Sequence, residues 1–467
     1  MGMSFGSMVS SFGTDAYGVN PANFDLHRKF KIDTTNLKLR YKSTNSYFPK
    51  YELAIANIGG GYGSDTTMSF YNNFIIYLSI NRNTFTSLFT NIFSVLQFRD
   101  SILPGSNTNV NYDFELKWFS LSYSDPKRGT INFTIADRVG LNTNAYSRDI
   151  EMPLNFQYYM DSTRTKSYLT NVNLYQAEAT AWWIRKYSVS YAKNLEINKS
   201  LIKNFAFGVS LGLVHGFGDV TTYKTSLNLN SYGIENINGS NHVDSISGKQ
   251  DFHTLSALTD MFQDYRDGAK SHYEMFPKPA GKGYSIDLGV NAQLGDKIRI
   301  ALSVTDIGKI TWNYNTILNN DTNSFIYRNF FLNSSDLTYN RFVDDLDGLD
   351  SRITGVTYST NMPTKYRAGI MYQPSDKILA EFDWIKGDNN SPGNTTKSLF
   401  ALGGEYYPLN YLPCRVGFSI GGYDNWAISA GAGLRFKYLI IDFGAEGINN
   451  AIANKRLTLA FSTKFLL

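Results

Sequence analysis

The sequence predicts an all-β protein and, within that class, an antiparallel transmembrane β-barrel. Three observations lead to this prediction. Many segments alternate apolar and polar residues with a period of two, tyrosine and tryptophan cluster near the ends of those segments, and no apolar stretch is long enough for a spanning helix. The 467 residues include 32 Tyr and 32 Phe but only 18% charged residues, a balance that favours strands.

Composition and charge exclude several classes of function. The formal net charge is only +4 and no block of Lys or Arg occurs, so we expect no nucleic-acid partner. The single cysteine, Cys414, cannot form an internal disulfide, and no Cys/His spacing indicates a zinc site. We therefore expect neither a metal nor a cofactor.

Two hairpins show the alternation most clearly. In the first, runs at 284–291 and 298–305 flank the short turn 294–297. In the second, runs at 366–372 and 378–384 flank a turn at 373–376. Similar runs, some of them noisier, lie at 36–42, 47–58, 68–81, 111–124, 129–138, 151–159, 178–194, 203–214, 219–232, 416–420, 426–434, 439–445 and 457–467. Together they predict roughly 14 to 18 strands with hairpin-like spacing.

The polar faces of these strands carry full charges, namely Asp287, Arg299, Arg367, Glu381 and Asp383. Two interpretations stay open: a charge network that fills and stiffens a barrel lumen, or a lining for a solute or a plug. Arg367 and the pair Glu381/Asp383 share one face of two strands joined by a short turn. We therefore expect them to lie across from one another.

The placement of aromatic residues separates a membrane barrel from a soluble sandwich or propeller. Both architectures tolerate charges on one face, but only a membrane barrel needs aromatic girdles at its two interfaces. Aromatic residues cluster near strand ends at Trp182, Trp183, Trp312, Trp384, Tyr406, Tyr407, Tyr423 and Trp426. This clustering favours the membrane barrel.

Three stretches break the period of two and are interpreted as helices, at 85–98, 253–267 and 335–349. Such helices suit the long extracellular loops of a barrel, where ligand access is controlled. The first two would supply a capture surface for an apolar ligand, from Phe89, Phe93, Leu96, Leu258, Met261 and Phe262. Alternatively, the helices only cap the mouth of the barrel.

Three motifs that suggest chemistry have simpler explanations. Gly208–Gly212 matches the G-x-S-x-G pattern of a nucleophilic serine, but apolar alternation runs straight through it, which predicts that Ser210 is an inward residue of a strand. The carboxylates of 344–350 lack the spacing of a calcium loop and favour a solvated acidic loop. Gly59–Gly63 lacks the Lys-Ser/Thr of a phosphate-binding loop. We expect that the protein is not an enzyme.

Several motifs resemble FadL-like outer-membrane barrels, the fatty-acid transporters and their relatives in Bacteroidota, including PorV-like proteins of type IX secretion. The first is the run 13–24, GTDAYGVNPANF, with its Asn20-Pro21-Ala22 triplet. The second is the hairpin carrying 283–290 and 302–308, and the third is 362–369 followed by 381–384. One departure is that the chain ends Phe465-Leu466-Leu467 rather than on an aromatic residue.

The resemblance implies a barrel of about 14 strands over 36–467, with long loops near 83–110, 233–281 and 313–361. It also implies that residues 1–35 form a luminal plug that includes Asn20, Pro21, Ala22 and Phe24. The location would be the outer membrane of a Gram-negative bacterium, with a signal peptide removed from the chain, since 1–11 has no basic region followed by an apolar one.

Two functions follow as expectations. The first is a conduit or binding protein for hydrophobic small molecules such as fatty acids. The alternative is an interaction component of PorV type, with a secretion-system or envelope protein as its partner. In both, outer-membrane lipid surrounds the barrel.

Overall fold

A computed structural model describes the chain over residues 7–26, 30–33, 38–41, 49–64, 108–145, 159–160, 167–168, 172–175, 178–197, 201–237, 240–261, 274–331, 352–452 and 456–467. The predicted helices at 85–98 and 335–349, and with them Phe89, Phe93 and Leu96, lie outside these residues. Phe262 lies outside them too.

The described part of the chain is nearly all strand. In chain order the strands are β1 (Phe30–Asp33), β2 (Lys38–Tyr41), β3 (Tyr51–Ser64), β4 (Thr108–Asp125), β5 (Gly129–Ala145), β6 (Tyr159–Met160), β7 (Ser167–Tyr168), β8 (Val172–Tyr175), β9 (Glu178–Glu196), β10 (Ile202–Ile237), β11 (Ser240–Leu258), β12 (Gly281–Leu294), β13 (Ile298–Trp312), β14 (Thr316–Phe331), β15 (Arg352–Thr354), β16 (Tyr358–Asn361), β17 (Lys365–Ser375), β18 (Ile378–Gly387), β19 (Leu399–Leu409), β20 (Leu412–Gly421), β21 (Asp424–Arg435), β22 (Leu439–Glu446) and β23 (Arg456–Leu466). The helices are two 3₁₀ turns, η1 (Gly13–Ala16) and η2 (Pro21–Asp25), and one short α-helix, α1 (Ile448–Ile452).

Fourteen of these described strands close into an antiparallel ring, which confirms the predicted fold class. The ring runs β3, β4, β5, β9, β10, β12, β13, β17, β18, β19, β20, β21, β22, β23 and back to β3. The first and last strands close it, with Leu459 opposite Gly60. Both of the clear sequence hairpins are present, as β12–β13 and β17–β18.

The two ends of the ring differ in their connections. At one end, which we call the turn end, strands join through short turns such as 126–128 and 295–297. At the other, the loop end, the connections are long, as between β9 and its predecessor β5 or between β18 and β19. Bacterial membrane barrels keep their short turns on the periplasmic side and their long loops outside the cell.

The wall is apolar outside and polar inside. Along β10, Ser210 is 3% exposed while its neighbour Leu211 is 61% exposed. The same alternation places Leu302 and Val416 outward and Ser303 inward. Ser210 donates to Ser190 on the adjacent strand β9 at 2.6 Å, and both are buried, so Ser210 is the inward strand residue predicted from the sequence. An apolar exterior around a polar interior is the arrangement that lipid requires.

Two of the regions predicted as loops are largely strand where the structure describes them. Beyond Gly216, β10 leaves β12 and pairs with β11, which in turn pairs with β14, so the three strands rise past the wall as a sheet that we call the extension. The predicted helix at 253–267 is therefore wrong over 253–258, which belongs to β11. Hydrogen bonds to neighbours on both sides outweigh the helical spacing of the apolar residues.

The aromatic girdle is also only partly as predicted. Tyr406 and Trp426 are about half exposed on the outer wall. Trp182 and Trp312 instead are buried in an apolar cluster where the extension leaves the wall, and Trp312 stacks on Tyr358. Both indoles therefore pack inside the protein and do not lie at a lipid interface. The Trp312 Nε1–H donates to the Thr360 hydroxyl at 2.8 Å.

No helix in the described ranges has both the length and the apolar character needed to cross a bilayer.

Candidate functional site: a plugged lumen with a charged chamber

The N-terminal segment 7–26 lies inside the ring. Its local shape begins at Asn20, whose side chain accepts from the Ala22 N–H at 3.0 Å and starts η2, with Pro21 at the first helical position. Asn20, Ala22 and Phe24 are at most 1% exposed, and Pro21 is buried as well. The structure thus places all four residues of the predicted plug set in the lumen.

Side chains from many wall strands hold this segment. Three of them donate to backbone carbonyls of the segment and two donate to its side chains, so buried polar groups of the segment find partners on the wall. The contacts are Lys117 to the Thr14 carbonyl at 3.1 Å, Thr130 to the Asp25 carboxylate at 2.6 Å, Asn291 to the Asn23 side chain at 2.9 Å, Ser303 to the Val19 carbonyl at 2.6 Å and Lys464 to the Phe12 carbonyl at 3.1 Å. The donors come from β4, β5, β12, β13 and β23, so the segment is tied across the lumen.

Two wall carboxylates bind four consecutive N–H groups of the segment. Asp383 accepts from Ser7 and Met8, both at 3.0 Å, and Glu381 accepts from Val9 at 2.5 Å and from Ser10 at 3.4 Å. An N–H group buried in the lumen needs an acceptor, and these two side chains supply one for each of the four. The pair therefore anchors the beginning of the segment to β18.

The sequence predicted that Arg367 lies across from Glu381 and Asp383, and the register of β17 and β18 contradicts this prediction. Asp383 lies opposite Gly369, and Arg367 lies opposite Ile385. Arg367 donates to Thr305 at 2.7 Å instead. The bend of the strand pair between Tyr372 and Ser375 shifts the register that a simple four-residue turn would give.

Two wall glycines make room for the plug. A Cβ on Gly208 would collide with the backbone of Pro21 and Ala22, and a Cβ on Gly289 would collide with the Asn20 side chain. The wall and the segment therefore approach more closely than any residue other than glycine allows. This close packing accounts for Gly208 in the G-x-S-x-G pattern without any catalytic role.

A chamber of about 500 Å³ lies between the segment and the loop end. Its floor includes Ser10, Ser11 and Tyr17 of the segment, and part of its roof is the loop after β18, through Gly393 and Asn394. Wall residues of most ring strands form the sides. Leu258 and Met261 are half-buried at the end of β11 and just after it, and neither lines the chamber.

Many charged side chains line the chamber beside apolar and glycine residues, and several of them form ion pairs. Arg138 on β5 reaches Asp306 on β13 at 2.9 Å, and Lys186 on β9 contacts Asp306 at 2.7 Å and Asp287 at 3.0 Å. A second group joins Arg415 to Glu405 and Asp442, with Arg435 also on Asp442. The first group joins strands that are not neighbours in the ring, whereas the second lies along the four successive strands β19 to β22.

Several cations that line the chamber form no ion pair among the described residues, and two of them are neighbours on one face of β17. Lys365 and Arg367, both on β17, have no carboxylate within 4 Å among the described residues. Of the five predicted luminal charges, Asp287 therefore belongs to the network, Glu381 and Asp383 hold the plug, and Arg367 faces the chamber. Arg299 lies near the turn end, where it donates to Gln293 at 3.4 Å.

Sequence reasoning missed Lys117, Arg138 and Lys186, the cations of β4, β5 and β9. Each lies mid-strand with an inward side chain, as the alternation of its neighbours indicates. The signal was present in the noisier runs at 111–124, 129–138 and 178–194, where polar residues on both faces obscured which charges point inward.

A buried carboxylate lies at the base of the extension, beyond the spanning part of β10. Asp219 is fully buried and accepts from Tyr358 at 2.8 Å and from Thr221 at 3.4 Å. Burial raises the pKa of Asp219 to about 6, and the two hydrogen bonds limit the rise. This carboxyl group titrates near neutral pH and not in the usual acidic range of an aspartate.

Comparison with solved structures shows similarity to transporters over nearly the whole chain. The Ralstonia pickettii toluene transporter TbuX is 10% identical, with 99% of this chain and 97% of that one covered and a TM-score of 0.44. The Pseudomonas putida toluene transporter TodX is 9% identical, with coverages of 100% and 96% and a TM-score of 0.42. A Pseudomonas aeruginosa FadL homologue is 12% identical, with coverages of 100% and 98% and a TM-score of 0.41. FadL-type barrels are thus among the structures to which the chain is similar, as its sequence motifs led us to expect.

A comparison with curated proteins found no match. Among family models, the one described as "Family of unknown function (DUF5723)" matches residues 32–442. That span is most of the 467 residues, and the chain therefore belongs to this family.

Proposed function

We propose that the protein is an outer-membrane conduit or binding protein for hydrophobic small molecules such as fatty acids, closed on its periplasmic side by the N-terminal segment. One observation carries the proposal: residues 7–26 are held in the lumen of a closed barrel, with a chamber between them and the loop end. A purely structural role would not require a lumen that is blocked by a segment held without covalent bonds. The apolar outer wall supports placement in a membrane.

The residues that line the chamber restrict the class of ligand that it can bind. The chamber offers apolar surface together with the charged groups of Arg138, Lys186 and Arg415. An amphipathic molecule suits such a site, because its ionised head group can face the charged walls while its apolar tail is held elsewhere. The helix predicted at 85–98, with Phe89 and Phe93, is the proposed capture surface for that tail.

Binding of a fluorescent fatty-acid analogue to the barrel in nanodiscs tests the proposal. We expect saturable binding that weakens in Phe89→Ser and Phe93→Ser by about 1 to 3 kcal/mol per lost aromatic contact. Phe133→Ser is the matched control, because Phe133 is exposed on the outer wall and should affect binding little. Absence of saturable binding, or equal loss in the control, would refute the conduit.

A second function is favoured by the extension. The sheet of β10, β11 and β14 rises past the wall and carries exposed apolar residues such as Ile326, which suits docking of an envelope or secretion protein. If Phe89→Ser and Phe93→Ser leave fatty-acid binding unchanged but abolish co-purification of another envelope protein, this interaction role takes the place of the conduit.

A further inference from the structure

The loop between β18 and β19, residues 388–398, folds inward over the loop end of the barrel. Pro392 and Asn394 are buried although they belong to a loop. The tip reaches β4 and β5: Asn142 donates to the Asn390 carbonyl, a Cβ on Gly140 would collide with Pro392, and Gly393 lies against Asp113.

The loop spans the full width of the lumen. Strands β20, β21, β22, β23 and β3 lie between its root and its tip on one side of the ring, and β9, β10, β12, β13 and β17 lie between them on the other. A loop that joins opposite points of the ring must pass over the centre. It therefore covers the chamber, and Gly393, Asn394 and Thr395 line the chamber from above.

The loop has a defined internal shape. The Asn389 side chain accepts from the Ser391 N–H at 3.2 Å and from the Asn394 amide at 3.0 Å. The Asn390 side chain accepts from the Thr396 N–H at 3.1 Å, and Gly393 turns the chain with φ of +72°. A loop braced in this way moves as one body about its root.

Attachment is firm at the root and light at the tip. At the root, Asn389 donates to Met362 at 2.9 Å, Asn394 donates to Thr364 at 3.1 Å, and Tyr423 donates to Asn394. At the tip, Asn142 donates to the Asn390 carbonyl, and Pro392 and Gly393 pack against Gly140 and Asp113. Opening would therefore break few contacts on the far wall.

We infer that residues 388–398 are the outer closure of the chamber and select by size what reaches it. The inference rests on the proposed function, because a closure matters only if something enters. The loop and the plug together close the chamber at both of its ends. The plug lies at the periplasmic end and the loop at the extracellular end.

Locking the tip to the far wall tests this inference. In a Cys414→Ser background, Ser462→Cys places a thiol on the chamber wall, and Asn142→Cys with Asn390→Cys supplies a disulfide at the tip contact. Labelling at position 462 by a small hydrophilic maleimide is read by peptide mass spectrometry, before and after mild oxidation. We expect oxidation to slow labelling by about tenfold or more, because labelling follows the population of the open form.

The matched control is Lys203→Cys with Asp296→Cys, a contacting pair at the turn end, where oxidation should leave labelling at 462 unchanged. Tyr423→Phe provides a second variant that needs no disulfide. It removes the bond to Asn394 and should speed labelling several-fold, whereas Tyr191→Phe, which removes a bond to Arg128 at the turn end, should not.

The outcomes separate this inference from the proposed function. Labelling that is unaffected by both the lock and Tyr423→Phe would overturn the closure, even with fatty-acid binding intact. Labelling controlled by the loop in a barrel that binds no fatty acid would keep the closure and refute the hydrophobic conduit.

Discussion

At the scale of single residues, the plug is held by carboxylates that serve as backbone acceptors. An irregular segment inside a barrel exposes N–H groups that no strand or helix satisfies, and each unsatisfied group costs free energy. Glu381 and Asp383 together accept four of them, from residues 7 to 10. The two side chains thereby hold residues 7 to 10 in a fixed position against β18.

Removing these acceptors should loosen the plug. We expect Glu381→Ala with Asp383→Ala to speed thiol labelling at a Ser11→Cys probe, in a Cys414→Ser background, by about tenfold or more, since four hydrogen bonds are lost and each contributes about 0.5 to 1.5 kcal/mol. Asp442→Asn is the control, because Asp442 pairs with Arg415 and Arg435 on the wall. Equal labelling rates in all three proteins would show that the carboxylates do not retain the segment.

Asp219 gives a prediction about pH. The pKa of an aspartate in an unfolded chain is about 3.9, and burial raises the pKa of Asp219 to about 6 in the fold. Between these values the folded protein holds a proton that the unfolded chain has released. This contribution to stability is therefore complete at low pH and is lost as the pH rises through 6.

We expect the wild type to lose on the order of 2 kcal/mol more than Asp219→Asn when the pH rises from 4 to 7.5. Denaturant unfolding in detergent at the two pH values measures the difference. Asp376→Asn, in an exposed turn, is the control and should follow the wild type. If the stability of Asp219→Asn changes with pH as much as that of the wild type, Asp219 does not cause the pH dependence.

At the scale of elements, the sequence predicts strands best where each face has one role. The hairpins β12–β13 and β17–β18 have an outer face in lipid and an inner face in the lumen, so the alternation is clean and both were predicted. In the extension, β11 lies between β10 and β14, and residues 253–258 showed a helical spacing that the sheet overrode. Pairing between distant strands leaves no local signal.

The candidate site shows the same limit. Inward charges such as Asp287 and Glu381 could be predicted from alternation alone. Their partners could not, because Glu381 binds Val9, which lies 372 positions away in the chain. The crossing of loop 388–398 over the lumen depends likewise on closure of the ring, which no short segment encodes.

The glycines under the plug give a prediction at this scale. Gly289→Ala would bring a Cβ against Asn20, so we expect the plug to loosen and labelling at Ser11→Cys to rise severalfold, while the wall still forms. Gly404→Ala is the control, because the nearest atom to its Cβ would be at 3.8 Å. Heat-modifiable migration on gels checks that both barrels close. Identical labelling in the two variants would contradict tight packing of wall on plug.

At the scale of the whole molecule, three layers lie in series along the barrel axis. The plug fills the half towards the turn end, the charged chamber follows, and loop 388–398 covers it. Ion pairs such as Arg138–Asp306 join wall strands that are not neighbours in the ring, so the barrel can stay rigid while the segment or the loop moves. We therefore expect passage to depend on movement of the plug and of loop 388–398 and not on movement of the wall.

The central claim is that residues 7–26 close an otherwise continuous pore. Conductance of the purified barrel in planar bilayers tests it most directly, for the wild type, for a protein lacking residues 1–26, and for a control lacking only residues 2–6. The account predicts small, rare openings for the wild type and the control and a large, stable conductance without the segment. Equal conductance of all three proteins, whether high or low, would contradict it.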